Sequence, residues 1–349
     1  MRRSYILQKR LGQLNMLGLE KLHIEPLGAD SLGTRSFCFY VKTPDLAILI
    51  DPSVALAPRR DRLPPHIKEL AAAKLTRELI QERAKKCDVL TISHFHFDHY
   101  TTSLSQVYQW TNETIAKQLY SGKIILAKDR SNRSFINYSQ KRRSYYLYKR
   151  EDCEIRPADS QSFQFKQTTI RCSEPVWHGP EGSRFGWVIM TTIEYNDEKI
   201  LHASDVQGPM SEYTLSLIEE EKPNLLLIGG PPTYLRQVPK EDLTSGIANL
   251  KKLASLIDVI IVDHHLLRDV KWKKHLEDVY KTAKKNGNYI YCVAEFMGLS
   301  PLLLEVQRKE LYQEIPLNAN FHNRLFKMDS EILAMIESEK KVLKEKLSS

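Results

Sequence analysis

Four side chains able to hold a metal ion fall within six residues: His94, His96, Asp98 and His99, in the string Ser93-His94-Phe95-His96-Phe97-Asp98-His99-Tyr100. Side chains alternate along an extended chain, so His94 and His96 point the same way. Asp98 and His99 follow where the chain turns, and they can face a second point a few ångströms off. Imidazole and carboxylate donors suit a borderline divalent cation such as zinc, with manganese or iron as alternatives. Positions left open to water make such a site catalytic and not structural. One cluster supplies too few ligands for two ions. Further donors stand alone at the ends of expected strands: His178 in Trp177-His178-Gly179, Asp205 in Ala203-Ser204-Asp205, and His264 and His265 in Asp263-His264-His265. His202 lies inside an expected strand and reads as a packed or supporting histidine. His23, His66, His275 and His322 have no companions and read as surface or cap residues.

The elements that must position these residues alternate between strands and helices. Residues 22–27, 36–42 and 46–50 read as short strands, the last ending in Asp51-Pro52. A Pro- and Arg-rich loop over 53–65 leads to a helix over about 66–85, and strand 89–92 runs straight into His94. Residues 155–172 read as two strands around a turn at 159–162, and 185–194 with 199–203 as a hairpin turning at Asn196-Asp197. Helices near 212–221, 240–256 and 271–285 each lead to a strand, at 225–228, 259–262 and 289–293. Strands early and helix–strand pairs late imply an α/β protein of two packed sheets with helices outside. The expected division is a basic extension over 1–21, a main domain over 22–328 and a terminal helix over 329–349. Gly229-Gly230-Pro231-Pro232-Thr233-Tyr234 ends a strand, where it either lines the cleft or makes a tight turn.

The 349 residues are 42% hydrophobic and 27% charged, values of a globular protein large enough to bury a core. No uncharged apolar run reaches the ~18–20 residues of a membrane-spanning helix, so no membrane partner is expected. Five scattered cysteines without a CxxC pair exclude a disulfide framework and a cysteine zinc site, and they fit a cytoplasmic protein. The formal net charge of +8 is concentrated: residues 128–150 carry eight cations against Asp129 alone, interleaved with Phe135, Tyr138, Tyr145, Tyr146 and Tyr148. Such a mixture suits a phosphate-bearing substrate or nucleic acid whose rings can stack. The plainer alternative is a solvated helix face with its tyrosines packed inward.

The order His-x-His-x-Asp-His, a lone His, a lone Asp and a final His resembles the metallo-β-lactamase superfamily over roughly residues 23–300. The strings Asp30-Ser31-Leu32-Gly33-Thr34-Arg35-Ser36, Ile50-Asp51-Pro52 and Asp263-His264-His265-Leu266-Leu267-Arg268-Asp269 are similar to a chiefly archaeal branch of it with no settled substrate. The resemblance implies a four-layer αββα sandwich and a dinuclear site. His94, His96 and His178 would hold the first ion. Asp98, His99 and either His264 or His265 would hold the second, with Asp205 bridging. His264 is favoured, as the first residue after the strand with Arg268 four residues on. Asp51 would orient a ligand histidine. Two divalent ions lower the pKa of a shared water, which makes the implied enzyme a hydrolase. A histidine at position 96, where the oxygen-reducing di-iron branch has glutamate, disfavours that branch. The basic segment, the loop around Arg59, Arg60 and Arg62, and Arg35, Arg142, Arg143 and Arg268 as substrate contacts lean towards a phosphodiesterase or nuclease. Only 58 residues separate Asp205 from His264, so the large insert of RNA-processing nucleases has no room there, and a small nucleotide is as suitable as long RNA. The alternatives are hydrolysis of a carbon ester, thioester or lactone at the same site, or nucleic-acid binding without turnover.

Overall fold

The computed structural model describes residues 19–348. The expected basic extension over 1–21 therefore lies mostly outside the described residues. Where the chain enters view, the Glu198 carboxylate accepts the backbone N–H groups of Glu20, Lys21 and Leu22.

The first sheet has six strands in chain order: β1 (His23–Ala29), β2 (Phe37–Lys42), β3 (Ala47–Ile50), β4 (Val89–Ile92), β5 (Ile124–Ala127) and β6 (Glu154–Pro157). β1 to β3 pair antiparallel and β3 to β6 parallel. Each parallel step needs a crossover, and the helices Ile67–Ala84, Glu113–Tyr120 and Tyr138–Tyr148 provide them. The second sheet holds β7 (Ser162–Phe165), β8 (Thr168–Cys172), β11 (Thr191–Tyr195), β12 (Glu198–Ala203), β13 (Leu225–Gly229), β14 (Val259–Asp263) and β15 (Tyr289–Tyr291), in the order β15-β14-β13-β12-β11-β8-β7. β9 (Val176–Trp177) and β10 (Trp187–Val188) form a separate two-stranded ribbon.

Strand alternation divides the apolar residues between two cores. Phe39, Val41, Ile48 and Ile50 pack with Ile193 and Ile200 of the second sheet, whereas Tyr40, Leu49 and Ile92 pack beneath Leu70 and Ile80 of the helix Ile67–Ala84. The result is the expected αββα sandwich. Site residues follow the ends of β1, β3, β4, β9, β12 and β14.

Several sequence expectations change in detail. Residues 155–172 make three strands, because the chain leaves the first sheet after β6 and enters the second at β7. Asp159 anchors that crossing, accepting from Lys128 Nζ and the Asp129 N–H. Residues 187–188 pair with β9 instead of extending the β11–β12 hairpin. The helix expected over 271–285 divides into Trp272–His275 and Glu277–Lys285. The helix Ser330–Ser348 packs along Ile67–Ala84 through Lys74–Glu337 and Lys340–Glu78 ion pairs, each 2.6 Å.

Candidate metal centre

The first half of the centre is local. Asp51, at the end of β3, has φ +44°, a left-handed backbone that bulky residues seldom adopt. Its Oδ1 accepts the Ser93 N–H at 2.7 Å, and its Oδ2 accepts from Ser93 Oγ at 2.6 Å and from His99 Nδ1 at 2.8 Å. The Ser93 hydroxyl proton is thereby committed to Asp51, so Oγ is left to accept from His94 Nδ1 at 2.9 Å. The hydrogen-bond network thus assigns both His94 and His99 the tautomer whose Nε2 lone pair faces inward. His96 lies beside them, its ring 4.5 Å from that of His94 and 4.9 Å from that of His178.

The second half is assembled across the sandwich. His264 leaves β14 with φ +61°, held there by Asp263, whose carboxylate accepts the N–H groups of His264, Ser31 and Val293. Asp30, at the end of β1 on the opposite sheet, faces His264 Nδ1 at 2.8 Å and accepts from Arg268 Nε at 2.9 Å. With its proton on Nδ1, His264 presents an Nε2 lone pair that faces Arg268 Nη2 at 3.3 Å and lies 3.3 Å from Asp205 Oδ1 and 3.6 Å from Asp98 Oδ2. His265 has the opposite tautomer. Arg268 Nη1, which can only donate, faces its Nδ1 at 3.1 Å, so the proton of the neutral ring sits on Nε2, 3.4 Å from Asp205 Oδ1.

These donors form groups that could hold metal ions. One group of ligand atoms is His94, His96, His178 and Asp205, another is Asp98, His99 and His264, and Asp205 also groups with His264 and His265. Asp205 Oδ2 lies 2.8 Å from His178 Nε2 and 3.3 Å from His94 Nε2 while its Oδ1 faces His264, so one carboxylate serves both sides. Among the described residues, the Nε2 atoms of His94, His178 and His265 are buried without a hydrogen-bond partner. The Nε2 atoms of His99 and His264 face each other at 3.2 Å. Two lone pairs that close repel unless a proton or a cation lies between them. Protonation states agree. Burial, with the charge of His99, takes His94 down to about 4, and burial takes His96 well below its ordinary value. Burial alone would raise Asp205 and Asp98, but the surrounding charges, His99 foremost, hold both well below the usual carboxylate range. His99 is the exception: burial disfavours its charge, yet Asp205 and Asp98 outweigh that and raise it well above the ordinary imidazole value. The anionic cluster draws a proton onto the position a cation would take.

A model of the beta-lactamase superfamily domain matches residues 34–262. A UPF0282 protein of Pyrobaculum calidifontis is 41% identical over 296 residues, covering 84% of this chain and 96% of its own length. A UPF0282 protein of Methanopyrus kandleri is 41% identical over 298 residues, covering 84% of this chain and 100% of its own. The chain belongs to the UPF0282 family of the metallo-beta-lactamase superfamily. Among solved structures, the metallo-beta-lactamase fold protein YhfI of Bacillus subtilis aligns with a TM-score of 0.46 and 12% identity, over 80% of this chain and 97% of that one. Members of the superfamily typically bind metal ions, and the activity class that goes with membership is metal-dependent hydrolysis.

In this UPF0282 chain the expected substrate arginines occupy different places. Arg35 gives two hydrogen bonds to Glu305, at 2.6 and 2.7 Å, and Arg268 is engaged by Asp30. Arg60 donates to the Arg268 carbonyl and lies 3.7 Å from Glu305, while Arg59 and Arg62 are exposed. Arg142 is exposed on the helix Tyr138–Tyr148, but Arg143, one position on, turns in over the Phe97 ring at 4.8 Å. The basic segment is partly neutralised from outside its own window, Lys128 by Asp159 and Arg150 by Asp152 and Glu113. Gly229 and Gly230 are packing residues: a Cβ on the first would sit 2.2 Å from the Ser204 carbonyl oxygen, and on the second 2.5 Å from Leu266 Cβ. His202 is buried, its ring 5.1 Å from that of Phe37 and its Nε2 facing the Phe37 carbonyl at 3.1 Å. His66 caps the helix Ile67–Ala84, as its lone position allowed. His322 is not a surface residue, being half-buried between the Tyr108 and Tyr312 hydroxyls. Sequence reasoning gave no role to Ser93, Asp263 or Asp30, although each stands inside a quoted motif string. No helix among the described residues is long and apolar enough to cross a membrane.

Proposed function

We propose that this protein is a dinuclear metal-dependent hydrolase acting on a phosphodiester. The observation that carries the dinuclear reading is the inward convergence of the His94, His99 and His264 Nε2 lone pairs on Asp205, with tautomers set by Ser93, Asp51 and Asp30. Two bound cations, zinc in our reading, would supply a water acidic enough to ionise at neutral pH and positive charge for the reacting phosphoryl oxygens. The protein's own groups do the rest. His94, His96 and His178 with Asp205 would hold one ion, and Asp98, His99 and His264 with Asp205 would hold the other. Asp51 and Asp30 keep ligand histidines in the required tautomer. His264 is our choice of ligand on that side, with His265, whose Nε2 is buried without a hydrogen-bond partner among the described residues 3.4 Å from Asp205 Oδ1, as the alternative. Arg143 supports an anionic substrate, since its guanidinium stands beside Asp98 and has no hydrogen bond or ion pair among the described residues.

Elemental analysis followed by a panel of bis(4-nitrophenyl) phosphate, 4-nitrophenyl acetate and a lactone tests this reading. Two equivalents of metal and turnover of the phosphodiester, falling steeply as salt rises, are expected. Ester or lactone turnover that ignores salt would overturn the phosphodiester assignment. Metal without turnover of any substrate would leave a binding protein in its place.

A further inference from the structure

Phe185 and Arg143 are two features of the mouth that metal binding does not use. Phe185 is 37% exposed although it stands over the cluster, its ring 5.2 Å from His178 and 6.2 Å from His96. One side of the ring therefore covers ligand histidines while the rest faces the opening, where His96, Phe97 and Asp98 are also partly exposed. Arg143 is half-buried, its guanidinium laid on the Phe97 ring at 4.8 Å, with none of its five N–H groups bonded among the described residues. Arg35, Arg60 and Arg268 nearby all have protein acceptors. Its guanidinium nitrogens reach solvent beside Asp98, so they are free to take the oxygens of an anionic ligand entering the mouth.

Both residues are tied to one helix. Gln140 Nε2 donates to the Phe185 carbonyl at 2.8 Å and to the Trp187 carbonyl at 3.2 Å, and Asn137 Nδ2 donates to the Arg184 carbonyl at 3.1 Å. Gly186, at φ +86°, makes this approach possible, since a Cβ there would lie 2.8 Å from Asn137 Nδ2. Trp177 and Trp187 stack at 4.4 Å behind the loop, and Phe135 meets Trp187 edge-on. Gln140 and Arg143 stand three residues apart on the helix Tyr138–Tyr148, so they share a face with Cβ atoms ~5–6 Å apart. The helix thus holds the Phe185 backbone with one turn and extends Arg143 with the next.

We propose that this mouth binds one nucleotide unit, its phosphate against Arg143 and its base on the exposed part of Phe185. The inference rests on the phosphodiester reading and narrows it. A phosphate needs the cation that Arg143 offers, and a base needs an exposed ring at the same mouth, which a simple alkyl phosphate would not use. Arg184, whose guanidinium lies over the Phe185 ring 5.2 Å from its centroid, adds positive charge there and is the side chain a stacking base would displace or share the ring with.

Calorimetric titration of the metal-loaded full chain with adenosine 5′-monophosphate, adenosine and inorganic phosphate tests the assignment. The monophosphate is expected to bind about tenfold tighter than phosphate, the scale of one base–aromatic stack. Phe185→Leu should abolish that excess and leave phosphate affinity unchanged, whereas Arg143→Gln should weaken both anions about tenfold and Arg143→Lys should restore part of it. Equal affinity for the monophosphate and phosphate overturns the proposal. So does a Phe185→Leu variant that weakens both alike, since the ring would then serve only to pack the histidines. Turnover of bis(4-nitrophenyl) phosphate separates the two readings: turnover without nucleotide preference sinks the nucleotide subsite alone, and nucleotide preference without turnover sinks the hydrolase alone.

Discussion

Asp51 and Asp30 perform the same task at different ranges. Both are buried carboxylates at strand ends of the first sheet, and each faces the Nδ1 of a histidine at 2.8 Å. Asp51 acts within its own sheet, on Ser93 and His99 from the adjoining β4 loop, and through Ser93 it also sets His94. Asp30 acts across the sandwich, on His264 from β14, and shares its charge with Arg268. Burial would raise both acids, yet both are lowered, Asp51 by its hydrogen bond to His99 and Asp30 chiefly by the charge of Arg268. The difference is instructive. The local half is held by backbone adjacency of β3 and β4, whereas the distant half depends on how the two sheets are docked.

Breaking the bridge should have the largest effect. Asp205→Ala is expected to lose both metal equivalents in elemental analysis and to lower turnover ~1,000-fold or more, whereas Asp98→Ala should lose one equivalent. A bridging-residue variant that retained full metal would contradict the shared-carboxylate geometry. The comparison of orienting acids comes next. Asp51→Asn should weaken binding of both ions by about 10–100-fold, and Asp30→Asn should weaken one by a similar factor and leave the other near normal. Competition with a chelator reads the two steps, and equal losses in the two variants would show that the halves are not independent.

Sheet docking offers a smaller effect. Gly230→Ala forces a Cβ into Leu266, in the turn that follows His264, and should destabilise the fold by about 1–3 kcal/mol in urea denaturation. Metal affinity should fall on the His264 side first. The smallest effect is remote from both halves. Burial takes His322 down to about 4 from its ordinary value near 6.5, and the Arg308 charge adds to this. The unfolded chain therefore binds its proton first, and stability should fall as pH drops from about 6.5 towards 4. His322→Gln should flatten that part of the melting profile, measured with chelator present. An unchanged slope would place the acid sensitivity elsewhere.

The His94–His99 cluster was legible because its ligands are neighbours in the chain and strand alternation orients them. The helix Glu212–Glu221 and strand Val89–Ile92 were likewise readable from local pattern. The course of residues 155–172 and of 185–194 was not, because short β segments do not state which sheet they join. The basic segment shows the same limit. Its composition announced a cationic surface, but only the folded helix separates Arg143, over Phe97, from Arg142 in solvent and from Lys128 and Arg150, paired to carboxylates beyond the segment.

By itself, then, the sequence determined the donor chemistry, the strand-end placement of the ligands and the class of fold, because these follow from residue type, spacing and hydrophobic period. The tertiary structure alone decided which carboxylate sets each imidazole. Tautomers depend on partners as much as 234 positions away, brought within 3 Å by the packing of two sheets. That is also why His264 and His265, adjacent and identical in type, face different partners, Asp30 at the Nδ1 of the first and Arg268 at the Nδ1 of the second.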